Sequence, residues 1–581
     1  MKKISIICFV LLAAAFITAQ SFKYSAHHKP EKSTKTSNFK AYPSSAAMCT
    51  PLFPSEDPAA DIGPLKGWGN YQWKISASSD SVQYYFNQGI NLYFAFHNIE
   101  SIASFTKAIH LDSTSAMAWY GKALAMGPTI NYATGYRAPA EALAAAMKSK
   151  QLAGKCSPLE KDLITAIQAR YSADTTMDVK QLRVNYATAM KKAYEQHKQN
   201  ADAATLYADA LLLIHPWDLY NHASQPKPWT AEIRRLLENA MVLSPKHPGA
   251  NHFYIHTMEA SAHPEAALNS AHLLDTLMPQ VSHITHMPSH IYIRTGDYQR
   301  GIKVNETALE GYNSYLKSYA PVASGFGLYE LHNIHMKSNN AQMAGNYKIA
   351  MEATLSVQKK IIESGYLAAP GPDGNFIQYI YSSPILTHVR FGKWDEVLNT
   401  PKADTLIYAS VLRHFARGLA YSKKGMVIKA KAELNLMSNL MKNSTLKLNL
   451  DNFSSAYDGA QVAKYILMGM MAESQKQHLQ AIKYLEQAVT AEDNLVYNEP
   501  RDWPVPARQY LGYALINAGQ AQKAIAVFNK DLQINPKNGW SLTGLSLAYK
   551  KTGNQSALAL NRKQLKTAWA INDTKIISSV F

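Results

Sequence analysis

A recurrence at 34 residues constrains this chain more than any other feature. His252 and His286 are 34 residues apart, and so are His256 and His290. The two His-x-x-x-His pairs lie in comparable stretches, HPGANHFYIHTMEA (247–260) and VSHITHMPSHIYIRTGDY (281–298). A fixed period of roughly 20–50 residues marks stacked supersecondary units, each too small to bury its apolar face alone. A length of 581 residues suits such an array better than one simple core. From about Ser81 onward the apolar residues follow helical spacing, and no stretch alternates with a period of two, so the chain reads as all-α.

Several segments resemble the tetratricopeptide repeat. RQYLGYALINAGQAQKAIAVFNKDLQINP (508–536) carries Leu511, Gly512, Gly519, Ala524, Phe528 and Pro536 at the expected positions, and NGWSLTGLSLAYKKTGN (538–554) opens another unit. AMAWYGKALAMG (116–127), the stretch around Gly89 and Phe105, and RHFARGLAYSKKGMVIKAKAEL (413–434) add more. The resemblance implies an α-solenoid of stacked helix-turn-helix repeats whose first helices line a concave groove. Irregular helical insertions interrupt it; Ser157-Pro158-Leu159-Glu160 is a capping box opening a helix in one of them.

The organisation expected is a signal peptide over 1–19, a flexible lead-in over 20–60, and helical repeats over 61–240. Central His-rich repeats over 241–355 and C-terminal repeats over 356–581 follow. Lys2-Lys3, the apolar run Ile4–Ile17 and the small Ala19 form the pattern of a cleaved secretory signal, which implies a periplasmic or secreted protein. No later segment holds 18 consecutive apolar residues, so no membrane span is expected. Beyond the signal only Cys49 and Cys156 remain, enough for one disulfide, though their spacing does not decide it. The net charge of +17 favours anionic partners, but no basic block interleaved with aromatics points to nucleic acid.

The period gives the histidines a register. With Gly296 as the turn glycine at position 15, His283, His286 and His290 fall at positions 2, 5 and 9. In the preceding repeat His252 and His256 take positions 5 and 9 and Glu259 position 12; in the following one His332 and His335 take positions 2 and 5. In tetratricopeptide-like arrays these positions face the groove. Helices packed about 8–10 Å apart allow such imidazoles to converge. Sulfur-free, imidazole-rich ligation suits a divalent transition metal such as Zn, Cu or Fe. Seven imidazoles suffice for one ion or two. Glu259 is then a ligand or general base, and Arg294 a candidate substrate contact. Pro288, inside the cluster, breaks or delays its helix and re-aims the histidines around it. No Ser-His-Asp order, phosphate-cradling glycine loop or His-Glu-x-x-His motif accompanies them.

Two other readings compete with the metal site. Tetratricopeptide-like arrays commonly bind a protein or peptide partner, and the histidines would then give hydrogen bonds and pH-dependent charge. A purely structural hydrogen-bond network between helices is the third. HPWDLY (215–220) with KPWT (227–230) reads as an aromatic staple or a groove cap, and LAAPGPDGN (367–375) as a flexible loop. YNEPRDWPVPAR (497–508) reads as an inter-repeat loop, whose Glu499 and Arg501 reach the site only if the array curls back.

GPTIN (127–131), HPWDLY, HPGANHFYIH, HMPSHIYIRTGDY, RFGKWDE (390–396) and EPRDWPVPAR together resemble a group of secreted or periplasmic bacterial tetratricopeptide-repeat proteins. The resemblance covers nearly the whole mature chain and implies architecture, with no activity attached. That group carries Asn-His where this chain has His97-Asn98, and a cysteine where Ser115 stands, so neither residue enters the expected site.

Overall fold

The computed structural model describes residues 62–318, 327–403, 405–501 and 503–581. The expected signal peptide, lead-in and Cys49 lie outside them; Cys156 is a buried thiol. Among the described residues the regular structure is helical, with no strand and only two isolated bridges, Tyr220 with Pro226 and Asn449 with Ser455.

Successive helices pair through short turns, as the 34-residue period requires. Asp80–Phe94 packs on Asn98–Leu111, Gly327–Met343 on Tyr347–Ser364, and Ala456–Ser474 on His478–Asp493. Ala507–Asn517 pairs with Ala521–Ile534 in the same way. The turns need a left-handed residue, which glycine supplies at least cost. Gly296, Gly345, Gly425, Gly519 and Gly553 fill it with φ between 71° and 77°. Lys476 (φ 61°) and Phe96 (φ 59°) fill the same role without being glycine.

Close helix approach depends on one ring seated between two glycines. A Cβ on Gly89 or Gly121 would fall within 2.8 Å of the Phe105 ring, and one on Gly512 or Gly544 within 2.3 Å of Phe528. Ser157 caps the Pro158–Ile167 helix through the expected box with Glu160. LAAPGPDGN departs from expectation: its second half opens the Gly371–Tyr381 helix, with Pro372 in the first turn, where a missing N–H costs nothing.

The apolar core divides near residue 330, with one cluster from Ile62 to Tyr329 and another from Leu331 to Val580. A smaller cluster around Tyr298, Ile302, Ala341 and Trp540 lies between them in composition. The C-terminal repeats fold back onto the central ones. Tyr298 donates its hydroxyl to the Pro536 carbonyl (2.8 Å) and Trp540 its indole N–H to the Gln342 carbonyl (3.0 Å). Asn452 donates to the Pro216 carbonyl (3.1 Å). This return of the chain closes over the groove: the seven central histidines are all buried, none more than 4% exposed.

Candidate metal centre

Four short helices carry the histidines. His252 and His256 lie on Pro248–Met258, His283 and His286 on Ser282–His286, His290 on Pro288–Thr295, and His332 and His335 on Gly327–Met343. Pro288 occupies the first turn of its helix, so the expected helical run is split in two at Met287.

The imidazoles sort into two triads. His252 Nε2 lies 3.2 Å from His256 Nε2 and 3.0 Å from His283 Nε2. His290 Nε2 lies 2.7 Å from His286 Nε2 and 3.4 Å from His332 Nε2. Each triad therefore takes positions 5 and 9 of one repeat and position 2 of the next. The pattern also accounts for His335. It is position 5 of the third repeat, but position 9 there is Asn339, and no third triad forms. His335 is buried edge-on to Tyr379 (ring centroids 5.8 Å apart), outside both groups.

The rings are held by their other nitrogens. His252 Nδ1 lies 2.6 Å from the Phe94 carbonyl oxygen, which only accepts. His256 Nδ1 lies 3.0 Å from Glu259 Oε1, and His290 Nδ1 2.9 Å from Glu259 Oε2. His286 Nδ1 lies 2.7 Å from Asn305 Oδ1; Asn305 spends its amide N–H on the Gly301 carbonyl, which fixes its orientation. Ser289 Oγ is farther from that nitrogen, at 3.4 Å. The Phe94, Glu259 and Asn305 oxygens accept, so Nδ1 carries the proton in the neutral rings of His252, His256 and His286. Their Nε2 atoms then present lone pairs. In the second triad His286 Nε2 turns its lone pair toward His290 Nε2, and in the first two such lone pairs face each other, His252 with His256. No hydrogen lies between them to make the contact favourable.

Burial favours the neutral form of five of the rings. It pushes His252, His283, His286 and His332 well below the usual imidazole range, with neighbouring imidazoles adding to the effect. It also lowers His256, against the opposing pull of Glu259. Glu259, fully buried at the end of the Pro248–Met258 helix, would be pushed up by burial. Its two imidazole partners overcome that and hold it below the ordinary carboxylate range. Glu259 thus stands behind the rings, joining one histidine of each triad on the Nδ1 side.

Residues left outside the expected site also reach it. Glu499 Oε1 lies 3.6 Å from the Nδ1 atoms of both His256 and His290. Burial and the adjacent Glu259 charge push its carboxyl well above the usual range, so it is protonated beside an ionised partner. Tyr497 donates its hydroxyl to Glu259 Oε2 (3.0 Å). Trp217, from HPWDLY, sits edge-on to His256 with centroids 5.3 Å apart, while His215 and Trp229 stack at 3.7 Å as the expected staple. Phe96 covers the first triad, its ring 4.4 Å from His252, 5.8 Å from His256 and 5.6 Å from His283. His97 is also close: its ring stacks on Tyr329, which stands edge-on to His283. It repeats the His-x-x-Glu arrangement of His256 and Glu259, with Nδ1 3.0 Å from Glu100 Oε1. Ser115 is only a helix cap, accepting from the Ala118 N–H. Arg294 is buried, donating to the Ser261 carbonyl (2.9 Å) with its guanidinium 5.3 Å above the Tyr497 ring.

The fold defines a helical repeat protein with a buried polyhistidine centre. A family model for the tetratricopeptide repeat matches residues 465–494, the hairpin of Ala456–Ser474 and His478–Asp493. No curated protein matches the chain. Among solved structures, the human IFIT1 dimer with m7Gppp-AAAA is similar at 14% identity over 85% of this chain and 91% of that one, with a TM-score of 0.29. Yeast Tom70 is similar at 11% identity over 84% and 93%, with a TM-score of 0.28. Among the described residues no helix is long and apolar enough to cross a membrane.

Proposed function

We propose that this chain is a metalloprotein with two adjacent tri-histidine sites, one formed by His252, His256 and His283 and the other by His286, His290 and His332. The facing Nε2 lone pairs carry the reading. In tetrahedral ligation with metal–nitrogen bonds of about 2.0–2.1 Å, neighbouring ligand nitrogens stand about 3.3–3.4 Å apart. The four Nε2 separations, 2.7 to 3.4 Å, approach that spacing. A cation between the nitrogens turns a repulsive pair into two bonds. The donor set suits Zn, Cu or Fe. Three imidazoles leave a fourth position for water or a small molecule, the pattern of sites that polarise a ligand or lower the pKa of bound water. Glu259 is a positioning residue in this reading: it fixes the tautomer of His256, pairs with His290 in the other triad, and raises the basicity of both. The signal-like N-terminus supports a periplasmic or secreted setting for the site.

The partner-binding reading draws on the repeat match at 465–494. With the histidines buried, a peptide would use another surface, so the two readings are compatible.

Elemental analysis of protein purified without a polyhistidine tag tests the metal reading. Wild type should hold close to two transition-metal ions per chain, and the double variant His252→Ala/His286→Ala essentially none. No metal in wild type, even after reconstitution, would sink it.

A further inference from the structure

A second polar site lies against the carboxylate side of the histidines. Ile293, Arg294, Gln342, Glu492, Tyr497 and Arg501 are among the residues lining a cavity of about 40 Å³. Its wall carries two guanidinium groups that make no ion pair among the described residues. Arg294 spends only Nη2, on the Ser261 carbonyl; its Nε and Nη1 are buried without a hydrogen-bond partner. Arg501 Nε is likewise buried and unpartnered, and Arg501 makes no ion pair among the described residues.

The nearby acids are engaged elsewhere. Asp493 holds Arg508 through two contacts of 2.6 Å. Asp531 Oδ2 accepts from Gln509, Asn538 and Ser541. Glu492 accepts from the Ala507 N–H, and burial pushes its carboxyl up to about 7, so it offers only a partial charge. Burying the Arg294 side chain and the Arg501 Nε with free N–H groups costs free energy that a matching anion would recover.

We propose that this cavity binds an oxyanion, a carboxylate, phosphate or sulfate group held by Arg294 and Arg501. Guanidinium forks fit such groups because their paired N–H vectors match two oxygens of the anion. The volume selects a small group: a water needs at least about 10–15 Å³ by the same measure, so the cavity holds roughly three waters or one such headgroup. Tyr497 lines the cavity and donates to Glu259, which places the anion one side chain from the histidine-orienting carboxylate. The site stands on the arginines alone and does not require metal in the triads.

Calorimetric titration of inorganic phosphate into chelator-treated, full-length protein tests it, with thermal melting in phosphate, sulfate or acetate against chloride at matched ionic strength. Saturable phosphate binding and a higher melting temperature in the oxyanions are expected. Arg501→Met and Arg294→Met should each weaken binding at least tenfold, with Arg501→Lys intermediate. Affinity in His252→Ala/His286→Ala should match wild type, which separates this site from the triads. Tighter binding of phenyl phosphate than of phosphate would identify the anionic end of a larger molecule, and the reverse a free oxyanion; either supports the site. Absence of both binding heat and oxyanion-specific stabilisation in wild type overturns it, as does phosphate affinity unchanged in folded Arg501→Met. If Arg294→Met fails to fold, the wild-type and Arg501 measurements still decide.

Discussion

At the residue scale, the chemistry rests on which nitrogen of each imidazole carries the proton. Acceptor-only partners at Nδ1 settle that for His252, His256 and His286. The triads then predict a stoichiometry. His283→Ala and His332→Ala should each reduce bound metal from about two ions to about one per chain, and His335→Ala should leave both. Loss of an ion in the His335 variant, measured by elemental analysis, would refute the grouping. Glu259→Gln keeps a hydrogen-bond acceptor but removes the charge behind both triads. Metal affinity should weaken by about 10–100-fold at each site, the usual effect of removing an outer-shell carboxylate. Competition with a chelator of known affinity reads this directly, and a change at one site only would contradict the shared role. The register of the histidines was legible in the sequence, because a 34-residue spacing can be counted. Their division into triads was not, since it depends on His283 turning toward the preceding repeat while His286 and His290 turn away from it.

At the element scale, the helix pairs were legible because glycines mark their turns. Gly296, Gly345, Gly425, Gly519 and Gly553 could be read as turn residues; Lys476 and Phe96 could not, although both adopt the same left-handed conformation. A non-glycine residue there costs about 1–2 kcal/mol. Lys476 belongs to an ordinary exposed turn, so Lys476→Gly should raise the melting temperature, with a gain of about 1 kcal/mol offset in part by the glycine's unfolded-state entropy. An unchanged or lower melting temperature would show that the turn is unstrained. Phe96 is different: its strained backbone holds a ring over three histidines, which is where such strain is expected. Between elements, Tyr93 on Asp80–Phe94 donates to Asp209 on Ala201–Ile214 at 2.6 Å. Burial pushes the Asp209 carboxyl up to about 6, against the opposing pulls of Arg170 and Tyr93. The folded state therefore binds this proton more tightly than the unfolded chain does. Stability from this group is full below about pH 4 and falls by up to about 3 kcal/mol as the pH rises past 6. Asp209→Asn should flatten that part of the stability–pH curve in thermal melts, and equal slopes for the two proteins would exclude the assignment.

At the scale of the whole molecule, the central repeats are completed by chain more than 200 residues away. Tyr497 and Glu499 reach Glu259 and its histidines only because the C-terminal repeats fold back, through contacts such as Tyr298 with Pro536 and Trp540 with Gln342. Repeat periodicity predicts neighbouring contacts, since each unit stacks on the next. It carries no information on whether distant units meet, so YNEPRDWPVPAR read as a loop. The same return of the chain encloses histidines that the repeat register placed along the groove. Enclosure has a thermodynamic consequence. In the two-metal reading, metal held by ligands drawn from four helices would bind the native state in preference to the unfolded chain, and at a thousandfold excess over the dissociation constant each site would add about 4 kcal/mol. Chelation should therefore lower the melting temperature of wild type and leave His252→Ala/His286→Ala unchanged. Amide exchange should quicken on chelation in residues 247–298 and 327–343 and in the loop around Tyr497, while the hairpin at 539–568 keeps its protection. A melting temperature insensitive to the chelator, with metal shown to be removed, would mean that the triads form without contributing to the fold. Exchange that quickened equally along the chain would mean that the closed array opens as one unit.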